Sequence, residues 1–87
     1  MASFQKFITT DTALASFISV AINKEAELFL EQDPVEFCFE QNGTNLKELE
    51  FQWKSGIATC NVVNFFRVYR NYIDTIKTNR RNYAREM

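Results

Sequence analysis

Histidine is absent from the 87 residues, and glycine (two), proline (one) and cysteine (two) are scarce. Without histidine there is no histidine-dependent catalytic triad, and Cys38 and Cys60 alone fall short of the four ligands of a structural zinc site. No glycine-rich loop precedes a helix, so the backbone cradle that holds a nucleotide phosphate is missing. No apolar run reaches the roughly 18 to 20 residues of a membrane span, and residues 1–10 lack the basic start and continuous apolar stretch of a signal peptide. These absences lead to the expectation of a non-enzymatic, cytoplasmic protein with no catalytic residue, cofactor or metal and no membrane contact. In that compartment both cysteines are free thiols, Cys60 as a small core residue and Cys38 on a sheet face.

What is present is a bulky apolar set. Hydrophobic residues make up 46% and charged residues 24% of the chain, which is ordinary for a globular domain, so residues 1–87 are expected to form one domain. Nine phenylalanines, three tyrosines and one tryptophan are too many rings for a domain that buries only about 60% of its unfolded surface, and the excess points to an interface. The net charge of -1 conceals a division. Residues 1–55 carry four Lys/Arg against nine Asp/Glu, a net -5, and residues 56–87 carry six against two, a net +4.

The spacing of Leu14, Phe17, Ile18, Ala21, Leu28 and Phe29 predicts a helix over 11–32, capped by Thr9 or Thr10 and stopped by Asp33-Pro34. Residues 1–10 are an arm or a short edge strand. Alternation at Val35, Phe37, Phe39 and at Leu49, Phe51, Trp53 predicts an antiparallel hairpin of 35–41 and 47–53. A five-residue loop from Asn42 to Leu46 pairs Val35 with Trp53, Phe37 with Phe51 and Phe39 with Leu49, keeping every large apolar residue on one face. From a cap at Thr59, the stripe Val62, Phe65, Phe66, Tyr69, Tyr72, Ile73 and Ile76 predicts a helix over 58–84. From 59 to 84 that helix is about 39 Å long at about 1.5 Å per residue, and it should overhang a domain about 31 Å across. The expected architecture is α+β, with two helices packed on one face of an antiparallel hairpin in the order α-β-β-α.

In this arrangement Glu36, Glu40, Glu48 and Glu50 gather on the open sheet face. Paired carboxylates perform acid and base chemistry when a pocket drives their pKa values apart, but a face open to water offers none. The cluster is therefore read as a surface for a partner protein, as is the basic helix end Lys77, Arg80, Arg81 and Arg85. The hairpin edges need cover, from the N-terminal segment, a second copy or a partner strand. Val63, Val68 and Tyr72 flank the apolar stripe of the last helix and, with Tyr69, are the expected dimer interface. The function expected is a small homodimeric regulatory or inhibitor protein acting by protein binding. The alternative is a nucleic-acid-binding regulator gripping phosphates with the four basic residues, a reading that the pI of 5.4 disfavours.

Overall fold

A computed structural model describes the backbone of residues 6–41 and 45–86 and the side chains of residues 6–41 and 45–80. The fold is α+β: strand β1 (Lys6–Thr9), helix α1 (Thr12–Ile22), strands β2 (Glu27–Phe29) and β3 (Glu36–Glu40), and helices α2 (Leu46–Lys54) and α3 (Val62–Glu86). The three strands form one antiparallel sheet in the order β1-β3-β2. Residues of one parity, Phe7 on β1 and Phe37 and Phe39 on β3, are buried against Leu14, Phe17 and Ile18 of α1, Leu46 of α2 and Tyr72 of α3. All helices therefore pack on the same side of the sheet.

Helix α1 begins at Asp11, whose carboxylate accepts hydrogen bonds from the amides of Ala13 (3.0 Å) and Leu14 (3.1 Å). This satisfies two of the amides that a first turn leaves without an intrahelical partner. The helix ends ten residues earlier than the spacing predicts. Asn23 adopts the left-handed conformation (φ 56°), which asparagine tolerates better than most residues, and the Lys24 amide closes back on the Ser19 carbonyl at 3.1 Å. Leu28 and Phe29, placed by the helical period on the face of one long helix, instead belong to β2. There Leu28 faces Phe37 on the core side and Phe29 faces Glu36 on the other. A short apolar run such as Leu28-Phe29-Leu30 fits a helix or a strand equally well, and pairing with β3 decides it.

The alternation at Val35–Glu40 is realised in β3, but its expected partner strand over 47–53 is a helix. Asn45 caps α2 by accepting from the Glu48 amide at 3.2 Å, and Leu46, Leu49 and Trp53 fall on one helical face toward the core. The pairs Val35–Trp53, Phe37–Phe51 and Phe39–Leu49 do not form. Phe51, inward in the hairpin register, points out and is 59% exposed. Both edges of β3 are covered from within the chain, by β1 (Phe7 opposite Phe39) and β2 (Leu28 opposite Phe37). The loop residues Asn42, Gly43 and Thr44 lie outside the described residues. Gly56, in the left-handed region at φ 76°, turns the chain out of α2, its amide donating to the Trp53 carbonyl at 3.2 Å.

Helix α3 starts after Asn61, not Thr59; the Asn61 side chain accepts from the Asn64 amide at 2.9 Å. Its 25 residues span about 37 Å at about 1.5 Å per residue. The described molecule measures 42 × 36 × 20 Å, so the helix is nearly as long as the whole domain. Its anchor is Tyr72. The ring lies edge-on to Phe37, 5.1 Å between centroids, and the hydroxyl pairs with the buried Ser19 Oγ at 2.6 Å and accepts from the Ala26 amide at 2.9 Å. One side chain thus ties α3 to the central strand, to α1 and to the segment entering β2. Among the described residues no buried side-chain nitrogen or oxygen lacks a hydrogen-bond partner.

Candidate interaction surfaces

Strand pairing determines what stands on the sheet face that the helices leave uncovered. Because directly opposed residues share a face, the outer side carries Lys6 opposite Glu40, Ile8 and Glu27 flanking Cys38, and Phe29 opposite Glu36. This is an apolar centre of Ile8, Cys38 and Phe29 with three carboxylates and one ammonium group around it. Ile8 is 51% exposed, whereas the rows on either side of Cys38 leave it only 4% exposed. The expected carboxylate cluster is therefore divided: Glu36 and Glu40 are on this face, joined by Glu27, but Glu48 and Glu50 are on α2. Glu50 forms a 3.4 Å ion pair with Lys54 one turn along that helix. The division follows from the helical state of 46–54, which carries residues 48 and 50 away from the sheet.

Burial raises the Cys38 pKa above its usual value; Lys6 lowers it, and Glu27, Glu40 and Glu36 push it higher. The group is held as a neutral thiol, which is a poor nucleophile. Cys60, expected in the core, lies exposed just before α3. Alkylation with iodoacetamide at pH 8 is therefore expected to modify Cys60 well before Cys38, by peptide mass spectrometry. Equal rates at the two thiols would show that the outer face does not shield Cys38.

Helix α3 presents two apolar stripes. Phe65, Val68, Tyr72 and Ile76 pack toward the core. Beside them runs a second stripe, Val62, Phe66, Tyr69 and Ile73, spaced four, three and four residues apart, the interval that keeps side chains on one helical seam. Val62 and Phe66 are 63% and 59% exposed, and Tyr69 and Ile73 are half-buried. A run of rings joins this seam to the interior: buried Phe17 stacks on Trp53 (5.5 Å between centroids), Trp53 on Phe65 (5.9 Å), and Phe65 on Tyr69 (6.0 Å), with Phe66 edge-on to Phe65 at 5.7 Å. Stacked and edge-on rings hold one another in fixed orientations, so the exposed rings stand on a packed base. On the solvent side of the seam, Arg70 lies one turn beyond Phe66 and Lys77 one turn beyond Ile73, both exposed.

Of the four residues expected at a dimer interface, Tyr72 is not available. It is 6% exposed and committed to Ser19, Ala26 and Phe37. Val68 packs against the core, Tyr69 is half-buried in the ring stack, and Val63 is 75% exposed. In the basic helix end, Lys77 and Arg80 are exposed, and Arg80 reaches Asp33 at 3.9 Å, a solvent-facing contact. The side chains of Arg81 and Arg85 lie outside the described residues. The seam residues Val62, Phe66 and Ile73 were all legible as apolar, but which side of α3 meets the core depends on Tyr72 and its distant partners. Ile8, Glu27 and Phe29 share a face only through pairing with β3, which no local spacing shows.

Among the described residues no group of three or more His, Cys, Asp or Glu is placed to hold a metal ion, and no helix is long and apolar enough to cross a membrane. Comparison with known proteins finds no matching family model, no matching curated protein and no matching solved structure.

Proposed function

We propose that this chain is a small regulatory protein that performs no catalysis, acts by binding protein, and self-associates. The observation that carries the reading is the open seam of α3, where Val62 and Phe66 stand exposed on a base of stacked rings. Isolated apolar residues on a surface are ordinary, but a contiguous set that includes aromatic side chains marks an interaction site. The row of Arg70 and Lys77 supplies a polar rim on the solvent side. Phosphate binding is the weaker alternative, because Asp74 interrupts the basic residues of the helix and Arg80 already faces Asp33.

The test is affinity capture from the native cell's lysate with the wild-type chain and with Phe66→Glu, quantified by mass spectrometry. Proteins retained by the wild type, further copies of the chain included, are expected to fall at least about tenfold with the variant. Phe66 is largely exposed, so the fold should be unaffected by the change, which circular dichroism checks. Retention of the same proteins by both baits, or of none by either, removes the reading.

A further inference from the structure

Two surfaces of the described molecule have no covering element: the seam of α3 and the outer face of the sheet. We infer that they cover each other, the α3 seam of one copy lying across the outer sheet face of the next, so that self-association is head-to-tail. This rests on the reading that the seam binds protein, and it names a second copy of the chain as the occupant.

The match has three parts. Both surfaces carry accessible apolar side chains, Val62, Phe66, Tyr69 and Ile73 on the helix and, on the sheet, Ile8 and Phe29 to either side of the buried Cys38. Their charges are opposite. Arg70 and Lys77 border the seam, whereas Glu27, Glu36 and Glu40 outnumber Lys6 on the sheet face. Over its length α3 has six basic residues against two acidic, a net +4, and residues 1–61 carry four against nine, a net -5. Their dimensions also agree: the seam from Val62 to Ile73 runs about 17 Å at about 1.5 Å per residue. The five residues of β3 run about 16 Å, with its two neighbours adding about 5 Å on either side.

The symmetric alternatives are poorer. Seam against seam brings two +4 helices together, and face against face opposes two sets of carboxylates, and like charges across an interface disfavour association. A head-to-tail contact leaves each copy with one unused seam or face, so the assembly closes into a ring or continues beyond two chains. A helix about 10 Å wide and about 17 Å of seam give a contact well below the roughly 800 Å² per partner of a standard interface, so association should be weak and concentration-dependent.

The experiment is light scattering or sedimentation velocity on the full chain between about 10 μM and about 1 mM, the range where weak self-association is read. The wild-type mass should climb past that of two chains as concentration rises. Phe66→Glu removes the seam and Ile8→Arg removes the face; both side chains are more than half exposed. Each variant alone should remain at 10.2 kDa. An equal mixture should give a species of two chains and no larger, because the intact face of the first variant accepts the intact seam of the second. A further face variant, Glu27→Lys, should weaken wild-type association by about tenfold or more, which guards against a folding defect in the strand substitution.

Self-association that persists in Ile8→Arg would mean seam on seam, and persistence in Phe66→Glu would mean face on face. Either overturns the head-to-tail arrangement, as does a wild-type mass of 10.2 kDa throughout the range. Seam-on-seam pairing leaves the seam as a protein-binding surface and the proposed function intact, whereas a monomer throughout also removes self-association, and capture of other proteins through Phe66 then decides the rest of that reading.

Discussion

Replacing Phe37 with alanine is expected to cost about 3 to 5 kcal/mol, from lost burial and the cavity left behind. Phe37 is fully buried on the central strand, between Thr9 and Leu28 and edge-on to Tyr72. A domain of this size has a total stability of roughly 4 to 13 kcal/mol, so the variant stands near or past its unfolding threshold in water. The comparison is Phe51→Ala, which should change stability by no more than about 0.5 kcal/mol because its ring is already in solvent. Urea unfolding of both variants measures the difference. The hairpin register makes the two phenylalanines buried partners of equal weight, so similar losses at both positions would reject the helical assignment of 46–54 along with this prediction.

Tyr72→Phe is expected to cost about 1 to 3 kcal/mol although only one oxygen is removed. That oxygen serves the buried Ser19 hydroxyl and the Ala26 amide, and a buried polar group deprived of its partner pays its desolvation in full. Adding Ser19→Ala should then bring little further loss, since the double variant no longer strands a serine hydroxyl. Simple addition of the two single effects would instead mean that the hydroxyls act independently, contrary to the 2.6 Å separation. Thermal unfolding of the four forms in a double-mutant cycle gives the answer.

Much of this fold can be read from local pattern, and the places where it cannot share a cause. The β3 alternation and the α3 stripe are long, regular and sustained by β-branched or aromatic residues. The segment 46–54 is harder because Leu49 and Trp53 satisfy both a two-residue and a helical period; the decision falls to Leu46, which packs in the core, and Phe51, which does not. The same ambiguity hides β2, whose three residues form a strand because β3 is there to pair with them. Glu36 and Glu40 were legible as one face of a strand. Glu27 was not, because it lies in a segment whose spacing also suits a helix. The open seam of α3 was visible as a broad apolar stripe, but its division into a covered and an uncovered side depends on Tyr72 meeting Ser19, 53 residues earlier in the chain.

The order of the strands along the chain bears on how the molecule is made. All three precede residue 41, as does α1, whereas the helix that brings Tyr72 over Phe37 begins at Val62. A polypeptide growing from its N-terminus therefore has the parts of its sheet available while the aromatic centre still lacks its cover. For that interval the nascent chain carries a sticky half-built layer, and its exposure lasts until synthesis has delivered some thirty more residues.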